Sequence, residues 1–183
     1  MYGMVNQAIE AMVTENFGAD AWESIKSRVG VSEPVFVSMK QYPDEVTYAL
    51  AGAVSEQLGK PLPEVLQAFG RYWITYAQRG PWAKVMMNSG RSTRELLASL
   101  DAMHARIAVS FPELQPPSFR VTDTSVGTEV EYRSHRAGLA PFVVGLIEGI
   151  GAMFGERIEV MQVASREAGA AHDRFLVRPA PAA

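Results

Sequence analysis

Cysteine is absent from the 183 residues. That excludes disulfides, thiol nucleophiles, thiolate-held haem, iron–sulfur clusters and cysteine zinc sites. Histidine occurs only three times, so an all-histidine metal centre would need every one of them. No excess of positive charge is present: 17 Lys+Arg stand against 20 Asp+Glu, a net charge of -3. The chain therefore offers no basic footprint for nucleic acid. Long apolar runs are missing too. The most apolar stretch, 137–154, is interrupted by Pro141, Glu148 and four glycines, and it falls short of the roughly 20 apolar residues that a bilayer demands. The opening MYGMVNQAIE has neither the basic region nor the apolar run of a secretion signal, so the expected address is cytoplasmic. No GxSxG, Walker A, GxGxxG or HExxH pattern occurs, and no enzyme is expected.

What remains is a globular composition, 48% hydrophobic and 20% charged. The length fits one domain of about 150 residues, expected over 1–178 with a flexible tail at 179–183. Apolar residues recur at helical spacing in Val5, Ile9, Met12, Val13 and Phe17, ending at Gly18. A second helix fits 21–29, and 35–37 reads as a short extended piece. Pro43 with Asp44 and Glu45 suits a helix start, and GlyLysPro at 59–61 stops that helix. An aromatic-rich helix follows over 62–76, and 80–82 breaks it. Ser92 with Glu95 has capping-box spacing and opens a helix whose apolar face holds Leu96, Leu97, Leu100, Met103 and Ile107, with His104 on the same side. The segment around Phe111-Pro112 ends it. Strand alternation then appears at 119–122 and 129–134. Helix is expected over 137–154 and a closing hairpin over 157–164 and 174–178. The architecture is α+β: an N-terminal helical layer with a C-terminal antiparallel sheet.

Three groups of residues could carry chemistry. His104 is an imidazole on an apolar helix face. By itself it reads as a core histidine, yet a single imidazole in an oily pocket also suits haem iron, which one protein ligand can hold. Tyr132 and Ser134 lie two apart on a strand and share a face, and Arg136 joins them if the strand continues. Two hydroxyls and a guanidinium fork in a row suit a ligand edge carrying two carboxylates. Val130 on that face argues that it is partly buried. Trp73, with Phe69, Tyr72 and Tyr76, reads as core in the absence of other signals. His135 falls on the charged side of the strand with Glu131 and Arg133, and His172 reads as a turn residue. The pairs Asp44–Glu45 and Glu129/Glu131 read as a helix start and a solvated face.

Taken in order, LDAMHARI at 100–107, FPELQPPSF at 111–119 and YRSHR at 132–136 resemble the haem-nitric oxide/oxygen-binding (H-NOX) domain family, of the stand-alone bacterial type. This is the sensor module related to the haem domain of soluble guanylate cyclase. The resemblance covers nearly the whole chain and includes the opening MetTyrGly. It implies a haem pocket enclosed between the helices and the sheet, with haem b (iron protoporphyrin IX) held through His104 as iron ligand. It implies that Tyr132, Ser134 and Arg136 grip the propionates, that Pro117 presses on the porphyrin, and that Asp44 pairs with Arg136. Trp73 and Val5 become distal walls, and Gly70 and Gly145 flexible points between the halves. Family members that hold oxygen carry a distal tyrosine after the Tyr-x-Ser-x-Arg pattern, whereas 137–145 has none. NO and CO are therefore the expected ligands, with Trp73, Tyr2 and Tyr72 as the remaining candidate donors for oxygen. The resemblance further implies release of His104 on NO binding and a separate partner, a histidine kinase or a cyclic-di-GMP enzyme. The competing readings are an oxygen sensor or carrier and a haem-free ligand-binding α+β domain.

Overall fold

The computed structural model describes residues 1–80, 82–111 and 113–181. Five helices lead: α1 (Gly3–Phe17), α2 (Ala19–Arg28), α3 (Asp44–Leu58), α4 (Leu62–Arg79) and the short α5 (Ala83–Met87). Next come α6 (Thr93–Ala108), β1 (Ser118–Thr124), β2 (Gly127–Arg133), α7 (Ala140–Met153), β3 (Ile158–Ala164) and β4 (Asp173–Pro179), with a 3-10 turn at Arg166–Ala168. Among the described residues no helix is long and apolar enough to cross a membrane.

Local chemistry explains most boundaries. Gly18 separates α1 from α2 at φ 88°, and Gly59 closes α3 in the left-handed region, where a side chain would be strained. Ser92 caps α6 by accepting the Glu95 N–H at 3.2 Å. The Glu95 carboxylate reaches back to the Arg91 N–H at 2.9 Å, one residue earlier than a capping box requires.

The four strands form one antiparallel sheet in the order β1-β2-β4-β3. Its inner face presents Phe119, Val130, Tyr132, Phe175 and Val177, all buried. These pack with Leu96, Leu97, Leu100 and Met103 of α6 and Val143, Ile147 and Ile150 of α7 into one core. A second core joins α1 to α4, with Ile9, Val13, Trp22, Phe36, Leu50, Val54 and Phe69 inside it. Trp73 and Phe142 pack against both, so the fold is two cores with aromatic rings at their seam.

Several expectations need correction. Residues 35–37, read as a short extended piece, join no sheet: only Phe36 turns inward, with Val35 and Val37 exposed. The helix α5 is an addition, since five residues are too few to show a period. The boundary at 178 is too early. Pro179 pairs with Ile158 in the ladder, and the Ala180 N–H donates to the Arg157 carbonyl at 2.8 Å. Residues 182–183 of the tail expected at 179–183, and the breaks expected at Pro81 and Pro112, lie outside the described residues.

Gly70 and Gly145, expected as flexible points between the halves, are close-contact positions. Both sit inside helices, where α4 crosses α7. A Cβ on Gly70 would collide with the Phe142 carbonyl oxygen, and one on Gly145 with the Gln67 carbonyl oxygen. Close backbone approach, rather than freedom of φ, is what demands glycine there.

Candidate functional site

A cavity of about 310 Å³ opens along the seam between the two cores. This lies within the ~300–1,000 Å³ range of small-molecule sites. Its walls are mostly apolar, from Ile9 and Leu66 on one side to Leu100, Met103 and Phe119 on the other. His104, Pro117, Tyr132, Ser134, Arg136, Trp73 and Val5 all line it. They come from α1, α4, α6, β2 and the loops flanking the sheet, so the fold gathers residues spread over more than a hundred positions of sequence.

His104 stands on α6 one residue after the buried Met103, its ring centroid 6.4 Å from that of Phe119. Its Nδ1 is buried and has no hydrogen-bond partner among the described residues. Burial pushes its pKa below the ordinary value, opposed by the Asp101 charge and the Pro117 carbonyl. The imidazole is thus held neutral, the form that ligates a metal.

Asp101, one turn earlier on α6, was invisible as a site residue in the sequence. It accepts the Phe119 N–H at 2.8 Å and the Ser118 hydroxyl at 2.7 Å. This ties the helix carrying His104 to the start of β1, directly after Pro116-Pro117. The only signal was its position three before the histidine.

The strand β2 stops at Arg133, so Arg136 does not continue the row of Tyr132 and Ser134. Instead, the Ser134 hydroxyl accepts the Arg136 N–H at 3.1 Å. This side-chain turn swings Arg136 back across the cavity mouth. There its Nε donates to Asp44 at 2.7 Å and its Nη1 to the Gln115 carbonyl at 3.0 Å. Asp44, the first residue of α3, also accepts from the Met1 ammonium at 2.5 Å. Burial works to raise the Asp44 pKa, but the hydrogen bonds from Met1 and Arg136 outweigh it and hold the carboxyl below its ordinary value. Tyr132 is buried, and burial raises its phenol pKa.

Two more residues bridge the mouth from the helical half. Tyr48, one turn after Asp44, donates to the Ala137 carbonyl at 2.9 Å, and Gln41 donates to the Glu113 carbonyl at 2.9 Å. Neither carried a sequence signal, because each meets a backbone carbonyl far away in the chain.

The wall opposite the sheet is aromatic and aliphatic. Trp73 stacks on Tyr76 at 6.2 Å and meets Phe69 edge-on at 6.4 Å. From α7 the cavity receives Phe142, Val143, Leu146 and Ile150, none with a hydrogen-bond donor. Tyr2 lines the cavity and packs edge-on against Phe111 at 5.1 Å. Tyr72 is not among the lining residues; burial, with the Glu15 carboxylate nearby, pushes its pKa up to about 12. His172 is more than a turn residue, since its Nε2 lies 2.8 Å from Glu131. Glu131 also pairs with Arg133, and Glu129 with Arg174, so the outer sheet face is an ion-pair network rather than a merely solvated one. His135 is half exposed at the mouth, 4.0 Å from Asp44.

A family profile described as haem-NO-binding matches residues 2–162. The chain belongs to the haem-NO-binding family. It is 29% identical over 151 residues to soluble guanylate cyclase gcy-31 of Caenorhabditis elegans, a match covering 82% of this chain and 22% of that protein. It is 28% identical over 174 residues to gcy-35 of the same organism, covering 91% and 25%. The chain therefore spans about a quarter of the length of these curated relatives. Among solved structures, an H-NOX protein from Shewanella oneidensis in the Fe(II)NO ligation state superposes with a TM-score of 0.88 at 21% identity, covering 99% of this chain and 100% of that one. An oxygen-binding H-NOX domain in its oxygen complex gives 0.78 at 23% identity, covering 98% and 96%. The fold is that of H-NOX domains, and the chain is a haem-NO-binding domain related to part of the soluble guanylate cyclases.

The residues present suit that group. Haem is a flat apolar ring with two carboxylate arms and an iron that accepts one imidazole. The cavity supplies apolar walls, one neutral imidazole and, at its mouth, two hydroxyls and a guanidinium.

Proposed function

We propose that this chain is a cytoplasmic haem-based sensor of NO, with CO as a second ligand, that discriminates against oxygen and signals to a separate partner protein. His104 would hold the iron of haem b, and Tyr132, Ser134 and Arg136 would bind its carboxylate edge. Pro117 would press on the ring, with Val5 and Trp73 walling the gas side. The haem, when bound, supplies a ferrous iron site for a diatomic gas.

The observation that carries the preference is the α7 wall, where Phe142, Val143, Leu146 and Ile150 offer no side-chain donor, so that of the candidate oxygen donors only Trp73 and Tyr2 line the cavity. Stable oxygen binding draws negative charge onto the ligand and calls for a donor in the apolar pocket. NO and CO make no such demand.

The chain's own contacts suggest how a change at His104 would travel. A change in the position of His104 would shift α6, the helix that carries it. Asp101 then carries the start of β1 and the adjoining Pro117 with it, through its bonds to Ser118 and Phe119. The helical half stays fixed to α7 at the glycine crossing, so the displacement is expressed as a change between the two halves. This is a two-state element that a gas can bias only through different affinity for each state. In keeping with the family resemblance, the receiving partner is a histidine kinase or a cyclic-di-GMP enzyme.

Absorption spectra of the reduced, haem-loaded protein test the reading. New stable spectra with NO and CO and an unchanged spectrum on brief exposure to air are expected. A stable oxygen-bound spectrum would sink the discrimination, and a protein that takes up no haem would sink the whole proposal.

A further inference from the structure

The cavity mouth is short of positive charge for a dianionic edge. Arg136 and the Met1 ammonium share the Asp44 carboxylate, at 2.7 and 2.5 Å, which leaves that cluster with one positive charge. A ligand with two carboxylate arms brings two negative charges to the same rim, and an unmatched charge in a partly buried place is costly. The sequence offers no second cation in the Tyr-x-Ser-x-Arg pattern.

The fold does. Arg166 opens the 3-10 turn between β3 and β4, and its Nη1 donates to the Ser134 carbonyl. Its backbone N–H donates to Asp173 Oδ1 at 3.0 Å. Asp173 in turn sits opposite Tyr132 in the β2–β4 register. Backbone and side chain together therefore root Arg166 beside the residues that form the clamp. On the same sheet Arg133, Arg174 and Arg178 are each paired with a glutamate. Arg166 makes no ion pair within 4.0 Å among the described residues. A guanidinium has five N–H donors in a planar fork, and a single carbonyl leaves most of them open to an anion. Arg166 is exposed and stands outside the cavity lining, reaching the mouth through its bond to Ser134. Glu167, the adjacent acid, faces Gly138 on the flank of the turn.

We propose that Arg166 is a further cofactor-binding residue, supplying the positive charge for the carboxylate arm that Arg136, engaged by Asp44, leaves unmatched. The proposal rests on the haem reading above. It also links the β3–β4 hairpin to the cofactor, a connection that sequence spacing alone could not show, because Arg166 lies 32 positions from Ser134.

Equilibrium titration with haemin and with haemin dimethyl ester, whose arms carry no charge, separates a charge role from a structural one. Arg166→Gln should weaken haemin binding about tenfold, the scale of one charge-assisted hydrogen bond. Arg166→Lys should retain most of the affinity. The ester should bind wild type and both variants alike, within about twofold. Unchanged haemin affinity in Arg166→Gln would overturn the proposal. So would an equal loss for haemin and ester, which would make Arg166 a prop for the Ser134 turn. Wild type that binds neither compound would remove the haem reading itself, whereas normal wild-type binding with an indifferent Arg166→Gln removes this proposal alone.

Discussion

The cavity is bounded at one side by the α4–α7 crossing and at its mouth by a lattice of polar side chains, and the two are built on opposite principles. At the crossing, Gly70 and Gly145 bring helix backbones together with no side chain between them, and Gly149 packs on the Ile74 side chain. At the mouth, Asp44, Tyr48 and Gln41 reach across from the helical half to Arg136, Ala137 and Glu113. Close-packed backbone is stiff and tolerates almost no added volume. Hydrogen bonds partly open to water exchange at little net cost. The crossing is thus suited to act as a fixed pivot and the mouth as a latch that can be made and broken. The proposed sensing needs both, since a displacement at His104 is useful only if one contact holds while another yields.

The crossing should be the most sensitive point. Gly145→Ala sets a methyl group into the Gln67 carbonyl. It should destabilise the protein by about 3 kcal/mol or more, as overpacking does at its upper range, read by denaturant unfolding. A loss below about 1 kcal/mol would show that the pivot is soft. Next comes the joint between α6 and β1. Asp101→Ala removes the acceptor of two hydrogen bonds and should cost about 2 kcal/mol. It should also uncouple changes at His104 from the sheet, visible as a loss of ligand-dependent shifts in the amide spectrum of β1.

The latch should respond less. Tyr48→Phe loses one hydrogen bond to Ala137, about 1 kcal/mol, while the ring stays packed. Its haem affinity should fall if α3 positions the Arg136 turn. The ion pair of Glu148 with Arg71, 2.6 Å long and flanked by Gln67 at 3.0 Å, spans the crossing on its solvent side. Glu148→Gln should therefore change stability by under about 1 kcal/mol, and a larger loss would mean that the pivot depends on charge rather than on backbone contact.

Acid should open the latch before it touches the pivot. The Asp44 carboxyl is held below its ordinary value of 3.8, so the stability it contributes is complete above that value and is lost as pH falls through the lower folded value. Wild type and Asp44→Asn should converge in stability as the pH drops below 3.8. Parallel curves over that range would show that the carboxylate is not linked to folding.

How much of this was legible in the sequence follows from the range of each interaction. Local signals were readable: the Ser92 cap, the alternation in 129–133, and the glycine stops at 18 and 59. His104 stood out because a polar ring interrupted an apolar helical stripe, and Tyr132 with Ser134 because strand spacing placed them together. The path of Arg136 was misread, since the strand ends at Arg133 and a serine turn redirects the chain. Asp101, Tyr48, Gln41 and Arg166 were not legible. Each acts on a backbone group or strand start distant in sequence, and a backbone acceptor leaves no mark in the residue pattern. The glycines were visible, but their role as contact points depends on which helix lies opposite.

The most direct test of the account is the haem uptake and ferrous absorption spectrum of wild type beside His104→Ala. Wild type should bind one haem per chain with a histidine-ligated spectrum that NO alters, and His104→Ala should lose that ligation. A His104→Ala protein with the wild-type ferrous spectrum would contradict the assignment of the iron ligand and the route of signalling built on it.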